Sequence, residues 1–100
     1  MMNPGLNRKA FEEHLGSEFT VIAEGDQSVS VTLSEVKSLG TRESGELTIE
    51  SYSLLFEGPT SPMLAQSSFQ FVHAHLGELV IFIVPLGPVS GVMRYEAVFN

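Results

Sequence analysis

Two histidines and a glutamate in the second half of the chain have residue types and spacing that suit a metal ion. His73 and His75 are separated by one residue, so on a β-strand both rings would project from the same face. Glu78 follows three residues later, and His14 is an alternative third ligand. Paired imidazoles with a carboxylate are a common ligand set for zinc. The pattern therefore names a candidate metal site.

A competing interpretation gives these residues no metal. His73 continues the inward-facing row of Phe69 and Phe71, while His75 already lies in the turn that follows the strand. No spacing in the chain completes a set of three ligands by itself. We therefore expect no bound metal, and keep His73, His75 and Glu78 as the candidate ligands.

The serines do not form a nucleophile motif. Residues 87–91 read Gly-Pro-Val-Ser-Gly, which lacks the Gly-x-Ser-x-Gly order of a nucleophile elbow, and the chain has no phosphate-binding Gly-x-x-x-x-Gly-Lys loop. Cysteine is absent, so thiolate nucleophiles, disulfides and cysteine-bound metals are excluded. We expect no catalytic residue, no cofactor and no enzymatic activity.

The composition is that of one small acidic globular domain. The chain has 100 residues, of which 43% are hydrophobic and 17% charged, and this balance excludes a disordered chain. The formal net charge is −7 at pH 7, which repels a phosphate backbone. Nucleic acid is therefore not an expected partner.

The sequence predicts no membrane span and a cytoplasmic location. The longest apolar run, Leu79 to Val84, is far shorter than the roughly 20 residues that a membrane helix needs. Residues 1–9 carry no apolar stretch behind their basic residues, so no signal peptide is expected.

Apolar periodicity predicts one helix followed by six strands. Asn7 is a candidate N-cap, and Gly16 a stop signal, for the helix. A bulge near Glu35 and a kink at Ser51 would account for changes of phase within two strands. The helix covers about residues 8–14, and the strands cover about residues 18–24, 28–38, 47–57, 68–73, 78–84 and 93–100.

Turn signals separate these strands. We expect a polar loop at Gly40–Gly45, a strong break at Gly58–Pro62, a hairpin turn at Ala74–Gly77 and a further connection at Leu86–Gly91. Short turns and the lack of a crossover helix exclude a parallel sheet. The predicted fold is a single all-β domain over residues 1–100, a six-stranded antiparallel barrel or sandwich whose one end is covered by the helix.

The tripeptide His-Leu-Gly occurs at residues 14–16 and again at residues 75–77, each time shortly before a predicted strand. A duplicated half-domain would produce this repeat. A recurring turn before a strand would also produce it, because glycine is common where a turn requires a positive φ. The flanking residues share little, which favours the turn.

The strand from Leu79 to Val84 is apolar at every position, so both of its faces require cover. One alternative makes it a central strand covered by the helix, and the other makes one face an interface with another chain. We expect that a charge at either Ile81 or Phe82 unfolds the protein, while a charge at the other leaves it folded but removes association. Ile81, Phe82, Tyr95 and Phe99 are the predicted protein-binding residues.

Three segments carry a resemblance to a known family: residues 11–16, FEEHLG, residues 52–59, YSLLFEGP, and residues 93–100, MRYEAVFN. Residues 76–79 and 84–88 also fit its pattern. The chain resembles a family of short bacterial proteins of about a hundred residues with no assigned function. The family has no catalytic motif to transfer. The resemblance also associates the chain with bacterial proteins that resemble phage tail-collar and fibre components, and this association implies a class of partner only.

Two functions follow as hypotheses. The first is a non-enzymatic protein-binding or assembly module that acts on another bacterial protein, such as a tail-collar-like fibre subunit, through an apolar sheet face or the free edge of the last strand. Self-association is a further partner class. The alternative is a small-ligand or metal-binding β-barrel organised around His73, His75 and Glu78.

Overall fold

Six antiparallel strands form a closed ring in the computed structural model, which describes residues 7–99, with Asp26 by its backbone alone. The predicted end of the last strand at Asn100, and the segment Met1–Leu6, lie outside the described residues. The elements are α1 (Arg8–Glu12), β1 (Glu18–Ile22), a 3₁₀ turn η1 (Glu24–Asp26), β2 (Ser28–Ser44), β3 (Leu47–Gly58), β4 (Ser67–His73), β5 (Gly77–Val89) and β6 (Val92–Phe99). The all-β prediction with a short N-terminal helix is confirmed.

The ring is a barrel and not a sandwich. The strand order is β1-β2-β3-β6-β5-β4, and the ring closes because β4 also pairs with β1, at Thr20↔Val72 through Ile22↔Gln70. Alternate residues of each strand therefore point into one shared interior. None of the helices in residues 7–99 is long and apolar enough to cross a bilayer.

Large side chains fill the interior. Three phenylalanines from three strands, Phe19, Phe56 and Phe71, contact one another with ring centroids 5.1 to 6.3 Å apart. Tilted and edge-on ring contacts at such distances add to the burial of apolar area. Aliphatic residues from the other five strands complete the core, and β4 contributes Phe71 and part of Phe69. This packing follows from the alternation in the sequence.

Both irregularities in the pairing of β2 with β3 come from an extra residue on β2. The expected bulge near Glu35 is confirmed, because the β2–β3 register shifts between Leu33 and Glu35. The change of phase expected at Ser51 coincides with a second register shift, which lies opposite Tyr52 and Ser51. The second shift lies on β2, between Ser38 and Gly40, while β3 runs on without an extra residue.

The β2–β3 hairpin projects from the barrel as an arm, defined here as Leu39–Ser51. The loop expected at Gly40–Gly45 is instead strand as far as Ser44. Within residues 7–99, the two strands of the arm pair only with each other. Leu47 is 68% exposed. A two-stranded ribbon without a covered face is only marginally stable by itself.

The connection expected at Leu86–Gly91 is largely strand as well. β5 continues through Pro85 and Pro88 to Val89, and the turn is confined to Ser90 and Gly91. A register shift between Pro85 and Gly87 accommodates this segment. Proline is tolerated at such irregular points, where it withholds no ladder hydrogen bond. The hairpin turn predicted between β4 and β5 is present, since His73 pairs with Gly77.

The last strand is not an edge strand, which corrects the expectation of a free edge there. β6 lies between β3 and β5 in the ring. Its ladder to β3 runs from Met93 to Phe99, and its ladder to β5 runs from Val92 to Glu96. A partner strand therefore cannot add along the length of β6.

Helix α1 covers one end of the barrel, called here the helix end. The Asn7 side chain accepts a hydrogen bond from the Ala10 amide (2.9 Å), as an N-cap does. The helix ends at Glu12, shorter than expected, because residues 13–16 form a turn. The guanidinium of Arg8 donates to Glu50 on the arm (2.7 Å) and to Glu12 (2.6 Å), which holds the helix beside β3.

Phe11 is the residue by which α1 closes this end. Its side chain is 1% exposed, and its ring lies 6.1 Å from that of Tyr52 and 6.0 Å from that of Phe99. The helix is too short to be stable alone. Its position therefore depends on contacts with the barrel, of which the burial of Phe11 is the apolar one.

Substitution Phe11→Ala should lower the free energy of unfolding by about 3 to 5 kcal/mol, because it removes a buried ring and leaves a cavity. Urea denaturation followed by circular dichroism measures the change. Leu15→Ala, at a side chain that is 50% exposed in the adjoining turn, is the matched control and should cost less than about 1 kcal/mol. Equal effects would mean that Phe11 does not anchor the helix.

Candidate functional site

Three histidines meet at the helix end, although only two of them are near in sequence. The ring centroids of His14 and His73 are 4.7 Å apart, those of His14 and His75 are 5.5 Å apart, and those of His73 and His75 are 5.9 Å apart. The His14 and His75 rings are nearly parallel, at 10°. We call His14, His73 and His75 the histidine cluster.

The repeated His-Leu-Gly tripeptides build this cluster. Each lies within or at the end of a turn, and the glycines have positive φ, 85° at Gly16 and 76° at Gly77. The first turn is also fixed to β2, because the Gly16 amide donates to the Leu33 carbonyl (2.8 Å) and the Leu33 amide to the Ser17 carbonyl (3.1 Å). The recurring-turn interpretation of the repeat is consistent with this geometry.

His73 has both ring nitrogens engaged. Its Nδ1 accepts from the backbone amides of His75 (3.0 Å) and Leu76 (3.1 Å), so Nδ1 carries no proton. The proton is therefore assigned to Nε2, which lies 2.9 Å from the Ser17 Oγ and donates to it. Ser17 in turn donates to the His14 carbonyl (2.6 Å). His73 thereby joins the two turns.

The environment keeps His73 neutral. Its side chain is buried, and its ring packs 4.4 Å from that of Phe19, measured between centroids. Burial, and to a lesser degree the neighbouring His14 and His75, lowers the pKa of His73. Protonation at Nδ1 would also break the two hydrogen bonds from the turn amides.

The Ser17–His73 pair has the wrong tautomer for nucleophilic catalysis. A base that activates serine must present an unprotonated nitrogen to the hydroxyl, and its other nitrogen must donate to an orienting acceptor. Here Nε2 donates to Ser17, and Nδ1 accepts from two amides. The arrangement stabilises a pair of turns and does not activate the hydroxyl.

Glu78 is not brought to the histidine cluster. On β4 and β5, Val72 lies opposite Glu78 and His73 opposite Gly77, so Glu78 shares the outward face with Val72 whereas His73 points inward. The Gln70 side chain donates to Glu78 on that outer face (3.0 Å). Across residues 7–99, no three histidine, aspartate or glutamate side chains form a group that could hold a metal ion.

The phenol of Tyr52 is the second polar group buried at the helix end. Its Oη finds no hydrogen-bond partner within the described part of the chain. Burial, followed by the charge of Glu50, raises the pKa of Tyr52. Tyr52 therefore remains protonated near neutral pH and supplies no base.

The four predicted protein-binding residues are placed differently. Ile81 (2% exposed) and Tyr95 (0% exposed) belong to the core, and Phe99 is half-buried against Phe11. Phe82 is 51% exposed on the outer surface. Of the four side chains, Phe82 is the one that faces solvent freely.

Two hydrogen bonds at the ends of the barrel could not be predicted from the sequence. Ser17 contacts His73 across 56 positions of the chain, and the Leu64 amide donates to the Tyr95 hydroxyl (2.8 Å) across 31 positions. Neither contact follows from periodicity, because each joins a loop to the interior. The repeated His-Leu-Gly tripeptide was the signal that could have placed His14 beside His75.

A family model described as a domain of unknown function (DUF6916) matches residues 6–99. No curated protein and no solved structure matches the chain. The match therefore covers nearly the whole chain but brings no activity, ligand or partner with it.

Protonation of His73 should make stability depend on pH. Because its pKa is lower in the folded than in the unfolded chain, the unfolded chain binds more protons as the pH falls below about 6.5, and stability is then lost. The free energy of unfolding should decrease between pH 7.5 and 5.5. Urea denaturation at several pH values measures it.

His73→Asn is the informative variant for this pH dependence. Asparagine offers an acceptor close to the position of Nδ1 but does not titrate. The variant should therefore show a shallower decrease over the same pH range, whatever its stability at pH 7.5. An unchanged slope would assign the pH dependence to other groups.

Zinc should not stabilise the protein through His73, since both of its ring nitrogens are engaged and Glu78 lies on the other face of the sheet. We expect equal shifts in melting temperature for the wild type and His73→Asn on addition of zinc at micromolar concentrations. A saturable stabilisation that only the wild type shows would instead support the metal-binding alternative.

Proposed function

We propose that this chain, which belongs to the family described as a domain of unknown function (DUF6916), is a non-enzymatic module that binds or helps to assemble another protein. The family description names no activity. The proposal is supported by one observation above all, the apolar surface that β5 and β6 present to solvent.

This surface, called here the apolar face, consists of Val80, Phe82 and Val98. Their side chains are 44%, 51% and 51% exposed. β5 and β6 are antiparallel neighbours in the ring, and Val84 pairs with Glu96. Phe82 precedes Val84 by two residues and Val98 follows Glu96 by two, so both lie on the same side of this pair. Isolated exposed apolar residues are ordinary, whereas neighbouring ones mark a surface that another molecule covers.

Cover by the helix, the internal alternative, does not apply to this face. Phe11 reaches Tyr52 and Phe99, and the inward residues of β5 are covered by the core itself. Val80 and Phe82 point away from that core. An aromatic side chain held on a rigid strand is a typical anchor for a protein interface, because little side-chain entropy is lost on binding.

The surroundings of the apolar face favour contact with a protein. The residues opposite Val80 and Phe82 on β4 are Gln70 and Ser68, which are polar but uncharged. Between Gly58 and Met93 the only charged residue is Glu78. Two carboxylates border the face, Glu78 two residues from Val80 and Glu96 two residues from Val98, so burying its centre requires the costly desolvation of few charges.

The hydrogen bonds of the Ser17–His73 pair support a non-enzymatic role. Ser17 and His73 lie within hydrogen-bond distance of each other. The hydrogen bonds of His73, however, place its proton on the nitrogen that faces the Ser17 hydroxyl, so the ring cannot act as a base toward that hydroxyl. The alternative of a small-ligand or metal-binding barrel organised around His73, His75 and Glu78 has no comparable observation in its favour.

We propose that the partner is a different protein and not a second copy. Two copies would each bring a net charge of −7, which opposes their association. A bacterial protein similar to a tail-collar or fibre subunit is the partner class that the sequence resemblance implies, and it belongs to this proposal. The cytoplasm is the proposed location.

The two neighbouring residues Ile81 and Phe82 provide the test. Ile81→Glu should unfold the protein, because it buries a charge in the core. Phe82→Glu should leave the circular dichroism spectrum unchanged while removing capture of the partner from extracts of the source cell. Size-exclusion chromatography with light scattering reports self-association in parallel.

Leu15→Glu is the matched control, because Leu15 is 50% exposed but lies in the turn after α1. It adds the same charge and should retain the partner. Loss of the partner in both variants would indicate a nonspecific effect of charge. A folded Phe82→Glu protein that still captures the partner would reject the apolar face as the binding surface.

A further inference from the structure

A groove lies at the end of the barrel opposite the helix, where η1 faces the segment 62–67. Its volume is about 470 Å³, within the range of sites that hold a small molecule or a side chain. Its walls come from Ala23, Glu24 and Gln27 on one side and from Met63, Leu64 and Gln66 on the other, with Phe69 between them. We call it the mouth groove.

The wall formed by the segment 62–67 is fixed in place. The Leu64 amide donates to the Tyr95 hydroxyl at a distance of 2.8 Å. Both residues are buried, with 4% of Leu64 and 0% of Tyr95 exposed. A buried hydrogen bond of this kind is costly to break, because both groups would lose their partner away from water. The groove therefore exists before any ligand arrives, which reduces the entropy lost on binding.

The lining combines an apolar floor with polar side chains. Leu64 and Phe69 supply apolar surface. The side chains of Glu24 and Gln27, and those of Gln66 and Ser67, form no side-chain hydrogen bond to any other residue described. Among the lining residues Glu24 is the one that carries a charge.

These properties select a ligand with an apolar stem and a cationic head. A carboxylate or phosphate would face Glu24 without a cation to compensate it, in a protein whose net charge is already −7. An alkyl chain that ends in an ammonium or guanidinium group satisfies both parts of the lining. Lysine and arginine side chains have this form, with a stem that packs on apolar surface and a head that remains hydrated.

The mouth groove also adjoins the apolar face. Ser67 lines the groove, and the next residue, Ser68, lies opposite Phe82. A polypeptide that contacts Phe82 can therefore reach the groove with a side chain.

We infer that the mouth groove binds a lysine or arginine side chain of the protein partner, with the stem on Leu64 and Phe69 and the cationic head at Glu24. This inference rests on the proposed function, since it assigns the side chain to that partner. It makes the apolar face and the groove two parts of one interface.

The test is a titration of the isotope-labelled protein with short blocked peptides, followed by ¹H–¹⁵N NMR. The probes are acetyl-Gly-Lys-Gly-amide, the same peptide with arginine, and the same peptide with glutamate. The lysine and arginine peptides should shift the amides of Ala23, Gln66 and Phe69 saturably. The glutamate peptide should bind at least about tenfold more weakly, as expected when a charge-assisted hydrogen bond is replaced by repulsion.

Glu24→Gln should remove most of the preference for the cationic peptides, and the retained dispersion of its spectrum shows that it is folded. Glu43→Gln removes the same charge from the exposed arm and should leave the preference unchanged. Equal binding of the lysine and glutamate peptides by the wild type would overturn the inference. A preference that Glu24→Gln retains would overturn it as well.

A parallel titration with spermidine distinguishes a side chain from a free polyamine. Binding of spermidine at least tenfold tighter than the lysine peptide would overturn the assignment to a protein side chain. The Phe82→Glu protein should still bind the lysine peptide, because Phe82 does not line the groove.

The same variants separate the two proposals. Partner capture that is lost in Phe82→Glu but kept in Glu24→Gln would support the proposed function and reject the groove as part of the interface. Capture that Phe82→Glu keeps, together with a groove that binds the lysine peptide, would reject the apolar face and support the groove.

Discussion

Closure of the sheet is the constraint on which the rest of the structure depends. Once β4 pairs with β1, every strand has two neighbours, and alternate side chains are committed to one interior. An eight-stranded barrel is just wide enough for side chains to fill, so a ring of six leaves less room. Phe19, Phe56 and Phe71 occupy the centre. The barrel is therefore a packed core, and the binding that we propose would use its ends and its outer surface.

The two ends are closed by single apolar residues from segments outside the ring, Phe11 at one end and Leu64 at the other. Near each end a buried polar side chain accepts hydrogen bonds from the backbone of a loop. At the helix end His73 accepts from the turn amides, and at the other end the Tyr95 hydroxyl accepts from Leu64. Two polar residues that resemble candidate catalytic groups thus serve to satisfy backbone hydrogen bonds.

The same geometry links closure to the proposed function. A strand in a barrel has one face in the core, so the residues of β5 that alternate with Ile81 must face outward whatever their polarity. Val80 and Phe82 are apolar, so the outer surface carries an apolar patch there. Packing of the core does not require apolar residues at these outward positions. The segment held by Leu64 then shapes the mouth groove beside this patch. Partner binding would use residues that contribute little to the barrel's own stability.

The sequence by itself determined the class of fold, the helix cap at Asn7, the bulge after Leu33 and the alternation of the core, since all of these depend on neighbours within a few residues. It misjudged the arm and the end of β5, because glycine and proline mark irregular strands as well as loops. Only the tertiary structure decided that Phe82 faces solvent while Ile81 is buried, that Glu78 lies away from His73, and that Ser17 reaches His73. These outcomes depend on register, ring closure and the docking of loops, and contacts between residues far apart in the chain leave no local pattern.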